Sequence, residues 1–221
     1  MLTESWNTFS NWFSQFFSGK QPRVYPLMQS AGDAYPSFLF QPLKELSVHS
    51  GDQRVSSKAY LDRMAEVFRY LNQPAEAPLV PLRTELAFVE SYTYLIATRQ
   101  PGKLQVRMEV SEAMLSQMLP PRSIQKVIEM AMKQNVMTAD HPLLIQIQTT
   151  ADGRLQISNN RQQKNGNPPV QVDVLAEING QYARLNGRRA AIQKTSTLVR
   201  ITLPLFPESE SGFGQEATSA A

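Results

Sequence analysis

Residues 119–135 read Leu119-Pro120-Pro121-Arg122-Ser123-Ile124-Gln125-Lys126-Val127-Ile128-Glu129-Met130-Ala131-Met132-Lys133-Gln134-Asn135. The prolines stop whatever precedes them and can open a helix, because proline fixes φ and the first helical N–H needs no partner. Ile124, Val127, Ile128, Ala131 and Met132 then recur at three- and four-residue spacing, which makes one buried helical face. Glu129 and Lys133 stand four apart in the favourable Glu-before-Lys order. On its residues alone the stretch is a half-buried helix of an α/β domain.

The flanking sequence supplies a sheet for that helix. From Leu104 the period shifts toward two, with Leu104, Val106, Met108 and Val110 alternating with polar residues, as in a half-buried strand. Leu143 to Gln148 is a second strand, Asp152-Gly153 a hairpin turn and Arg154 to Ser158 a third strand. Val172 to Leu185 can be helical, and Thr197 to Leu205 is the last strand. Strand, helix, strand, hairpin, strand, helix, strand is an α+β order.

Upstream, residues 56–71 read as a helix striped by Tyr60, Leu61, Met64, Val67, Phe68 and Leu71. Pro74, Pro78 and Pro81 break it. Leu82 to Arg99 forms the next helix, with Leu82, Leu86, Val89, Tyr92 or Tyr94, and Ile96 inward, and Pro101-Gly102 closes it. At the N-terminus Leu2, Trp6, Phe9, Trp12, Phe13, Phe16 and Phe17 fall within an arc of about 140° at about 100° per residue. Residues 2–17 are therefore expected to form an amphipathic helix docked on protein. A membrane interface is the alternative, weakened by a polar face without Lys or Arg.

Stretch 119–135 resembles the nucleotide-binding helix of the LytS-type (autolysin-sensor) histidine kinases of bacterial two-component systems, whose pattern there is roughly L-P-P-x-x-L-Q-x-L-V-E-N-A-I-K-H-N. Leu119, Pro120, Pro121, Gln125, Glu129, Ala131, Lys133 and Asn135 match it. Further matches are Pro36, Phe38, Leu39, Phe40 and Leu43 in the phosphoacceptor stretch, Arg69-Tyr70 after it, and Leu82, Glu85, Leu86, Tyr92 and Arg99 in an L-x-x-E-L…Y…R pattern. The resemblance spans about residues 35–206. It implies a helical dimerisation (phosphoacceptor-like) region followed by a Bergerat-type ATPase-like α/β sandwich, one mixed sheet covered by helices on one face.

The same resemblance marks what has changed. The phosphoacceptor histidine position holds Ser37, whose hydroxyl needs a base to become nucleophilic. The only histidines, His49 and His141, read as ordinary loop or surface residues. The magnesium-holding asparagine position is Met130, a soft thioether unsuited to a cation that wants hard oxygen ligands, and the family histidine is Gln134. In the phosphate lid the family's glycines fall at Val172 and Val174, and its asparagine at Glu177. Valine resists the backbone conformations glycine allows, and Glu177 adds a negative charge near a polyanion. If nucleotide binding is retained, Glu129, Lys133, Asn135, Asn159 and Asn160 would carry it. No catalytic position is intact, no metal site is expected, and ATP with magnesium enters only under the alternative of weak activity.

Composition excludes other classes. The 221 residues carry a net charge of +3, too small to argue for nucleic acid, and contain no cysteine for disulfides or thiolate metal sites. No apolar run is long enough to span a bilayer. The expected organisation is an aromatic helix at 1–20, a linker at 21–34, a helical dimerisation region at 35–100, an ATPase-like domain at 101–206 and a disordered tail at 207–221. The expected function is that of a catalytically degenerate histidine-kinase-like protein acting through protein–protein interaction; the alternatives are a weakly active kinase or a binder of another small ligand. Expected partners are a second copy or a related sensor kinase, and a response regulator. The expected location is cytoplasmic, with residues 2–17 contacting the inner face of the membrane as the alternative.

Overall fold

The computed structural model describes residues 57–72, 78–162, 171–185 and 188–209. Expectations for the aromatic segment 2–17, the Ser37 stretch, His49 and residues 210–221 lie outside the described residues. All described residues fall in one compact unit, Gln53–Ala221.

Helix α1 (Ser57–Leu71) buries Tyr60, Met64, Val67 and Tyr70. Strand β1 (Val80–Pro81) leads directly into α2 (Leu82–Arg99). Pro81 offers no side-chain cap, so the first amides of α2 use backbone acceptors instead: Leu82 N–H donates to Gln117 O at 2.7 Å and Arg83 N–H to Leu115 O at 3.0 Å. Strand β2 (Leu104–Glu109), a 3₁₀ turn (Glu112–Met114), β3 (Met118–Leu119) and α3 (Ser123–Gln134) follow. The chain then forms β4 (Leu143–Thr149), β5 (Arg154–Asn160), α4 (Gln171–Ala183), β6 (Ala191–Lys194) and β7 (Leu198–Pro204).

The five-stranded sheet runs β2-β4-β5-β7-β6, with β2 and β4 parallel and the other pairs antiparallel. Period-two side chains explain its single covered face. Ile145, Ile147, Leu155, Ile157, Ile201 and Leu203 are buried and in register across the three central strands. Each such burial is worth about 2 kcal/mol. The opposite face is mostly polar and includes Gln148, which donates to Gln156 at 2.9 Å. The β4–β5 hairpin closes as expected on Gly153, whose φ of 74° is cheap only for glycine. Among the described residues β2 is an edge strand, and its exposed Arg107 and Glu109 pair at 2.8 Å.

Three features differ from the sequence reading. Strand β6 was not expected: its four residues alternate weakly, and pairing with β7 rather than hydrophobicity defines it. The proline pair does not open α3. Pro120–Pro121 make a turn, Arg122 takes φ 64° and the helix begins at Ser123. Finally, Met130 is buried and Met132 only half-buried. The helix packs against α2, α4 and β5 together, so its covered arc is wider than one stripe.

Candidate functional site

Helix α3 carries most of the candidate positions. Met130, where the family pattern has asparagine, is 2% exposed and so belongs to the packed core. Glu129 Oε1 accepts from Tyr92 Oη at 2.9 Å and from Gln125 Nε2 at 2.9 Å. Lys133 is exposed and Gln134 half-buried. Asn135 is buried: its Nδ2 donates to Ala131 O at 2.7 Å and its Oδ1 accepts Gln162 N–H at 2.6 Å. Asn135 thus pins the end of α3 to the chain leaving β5.

Asn159 and Asn160 are the last two residues of β5 rather than residues beyond it. Asn160 Oδ1 accepts Leu144 N–H at 2.8 Å and its Nδ2 donates to Pro142 O at 3.0 Å, so this side chain satisfies the start of β4. Asn159 Nδ2 donates to Asn160 O at 2.6 Å. His141 is exposed, and its amide donates to Thr138 Oγ1 at 3.0 Å.

The lid-equivalent positions lie in α4. Val172 and Val174 are in helical backbone, not in a glycine-like loop. Glu177, 61% exposed, pairs with Lys126 of α3 at 2.6 Å. The two helices that would flank a nucleotide are therefore joined by an ion pair. Tyr182, on the same helix, is buried and donates to Pro204 O at 2.9 Å. Burial, then the nearby Glu85 carboxyl, pushes its phenol far above the usual tyrosine range.

Sequence reasoning assigned no role to the most constrained charge in the structure. Glu85, on α2, is 0% exposed. Its Oε1 accepts Arg122 N–H at 2.7 Å and its Oε2 Ile124 N–H at 3.4 Å, so it caps α3 from another helix. Tyr70 of α1 donates its hydroxyl to the same Oε1. Burial raises the Glu85 carboxyl above the ordinary range against the pull of these donors. Burial, followed by Glu85, likewise raises the Tyr70 phenol. Arg122 Nη2 donates to Leu71 O at 2.8 Å, at the end of α1. A signal was present in the sequence: Glu85 falls between Leu82 and Val89 on the inward stripe, where a charge demands partners.

The described residues form a mixed sheet with helices on one face and α3 packed against it, an α+β architecture preceded by helices. The histidine kinase family model matches residues 33–104. The Sensor protein LytS of Enterococcus faecalis is 30% identical over 98 residues, covering 44% of this chain and 17% of that protein. Its Bacillus cereus counterpart is 29% identical over the same length, again 17% of that protein. Over those 98 residues the chain is similar to LytS-type sensor proteins, and the matched stretch spans about a sixth of those relatives' length. Among solved structures it resembles the Acinetobacter baumannii histidine kinase AdeS (TM-score 0.39, 11% identity, 92% of this chain and 96% of that one). It also resembles a histidine kinase domain from Erythrobacter litoralis (TM-score 0.38, 11% identity, 76% and 83%). At that distance the likeness assigns no chemistry.

Proposed function

We propose that this chain works in bacterial two-component signalling as a histidine-kinase-like protein that has lost phosphotransfer and acts by pairing with itself or with a related sensor kinase. The observation that carries this reading is the Lys126–Glu177 bridge at 2.6 Å between α3 and α4. A phosphate lid needs backbone N–H groups free to approach the anion and positive charge beside them. Here the segment is helical, its exposed acidic side chain reaches Lys126, and that lysine is already paired. Magnesium does not fit the described residues either, because the relevant α3 position is a core thioether. Ser37 supplies no imidazole nucleophile.

Glu129, Lys133 and Asn135 keep the family letters, which favours weak ATP use as the competing reading. Titration of a fluorescent ATP analogue with and without magnesium separates the two. The expected result is no saturation in the micromolar range. Micromolar binding that requires magnesium and disappears in Glu129→Ala would overturn the loss of catalysis. Light scattering tests the pairing: a monomer insensitive to concentration refutes the self-pairing form.

A further inference from the structure

Three signature motifs that are far apart in sequence meet at one buried point. Arg69-Tyr70 ends α1, Glu85 sits in the first turn of α2, and Pro120-Pro121-Arg122 precedes α3. None of them is among the altered positions. Glu85 joins the Tyr70 hydroxyl to two amides at the start of α3. Arg122 closes the loop by donating to Leu71 O at 2.8 Å, which caps the carbonyl end of α1. The start of α3 is thus held by an acid and the end of α1 by a base, each placed where the helix dipole favours it.

A second route runs in parallel. The Tyr70 ring stacks on Phe88 at 4.2 Å and Phe88 on Tyr92 at 5.8 Å, and Tyr92 hydrogen-bonds Glu129 at 2.9 Å. The end of α1 therefore grips α3 at its first turn and again mid-helix. Arg122 holds a left-handed φ of 64°, which costs a non-glycine residue on the order of 1 kcal/mol. Such a conformation persists only where the surroundings fix it, and here Glu85 and Leu71 both do.

We propose that the Tyr70–Glu85–Arg122 junction is a mechanical coupler that makes the position of α1 and the order of the first turn of α3 one variable. Displacement of α1 withdraws the Tyr70 hydroxyl and the Leu71 carbonyl together, so the Glu85 cap loses a bracing partner and the left-handed Arg122 loses its anchor, and the first turn of α3 loosens. The coupler does not depend on whether nucleotide binds, so it stands apart from the proposed loss of phosphotransfer.

Hydrogen–deuterium exchange on the full chain tests it with two reciprocal variants. Tyr70→Phe removes one oxygen, the one that bonds Glu85 and lies beside the Arg122 amide at the start of α3. It should speed exchange in peptides covering Arg122–Val127 by about three- to tenfold, the effect of one lost hydrogen bond, and leave β4–β5 peptides unchanged. Arg122→Ala should speed exchange at the end of α1, since coupling is reciprocal. No change at α3 in Tyr70→Phe overturns the proposal. So does a rise spread equally through β4–β5, which would report general loosening, or an Arg122→Ala effect that stops at α3.

Discussion

Replacing Glu85 by alanine should be the most damaging single truncation in the described core. The wild-type carboxylate is fully buried and accepts from Tyr70, Arg122 and Ile124. Alanine orphans all three donors in a site closed to solvent, at about 1–3 kcal/mol for each buried unsatisfied group. The Ile124 contact is long at 3.4 Å and belongs at the low end. The total comes to roughly 3–6 kcal/mol, with relaxation and water entry keeping it below the sum of the maxima. For a unit of this size, 1 kcal/mol moves the melting temperature by about 2–4 °C, so the expected drop is roughly 6–24 °C. Circular dichroism melting of the two proteins at neutral pH measures it. A drop under about 3 °C would show that the donors find other partners and that Glu85 does not hold α3.

Other outcomes follow from the same geometry. Because Glu85 is held above the ordinary carboxylate range, the folded chain keeps a proton that the unfolded chain releases; stability should fall as pH rises from about 4.3 toward the raised value, and Glu85→Gln should flatten that slope in melts run across pH. Asn135→Ala strands the Gln162 amide and should cost about 1–3 kcal/mol in urea unfolding without altering the β4–β5 hairpin. Glu177→Gln should change stability by less than about 1 kcal/mol, because that side of the ion pair is exposed to solvent. Met130→Asn buries an amide in the core; it should lower stability by about 1–3 kcal/mol and not, on its own, produce magnesium-dependent nucleotide binding in the fluorescence titration.

The elements with strong periodicity were legible in the sequence. Residues 82–99 gave α2 to the residue, because proline stands before Leu82 and Pro101-Gly102 follows. The β4 and β5 strands followed from alternation around Asp152-Gly153. What escaped was whatever depends on partners distant in the chain. Strand β6 exists because β7 lies beside it, and the two-residue β1 and β3 exist because they pair with each other. The start of α3 is set by Glu85, 37 residues before Arg122, so proline propensity alone misplaced it. At the candidate site the letters Glu129, Asn135 and Asn160 were visible, but not that their side chains satisfy Tyr92, Gln162 and Leu144. Pattern matching ranks residues by family role, and the packing of this chain gives several of them architectural work.

The outer border of β2 has a consequence for how the protein behaves in concentrated solution. An open strand presents a row of free amide and carbonyl groups, which invites other chains to extend the sheet. Here Gln105, Arg107 and Glu109 project from the uncovered side of that strand, and the last two form an ion pair. Stacking a second strand against them would force charged groups to shed water for little return. Among the described residues this edge is thus lined by side chains that disfavour a further strand, and their influence should weaken as salt screens them.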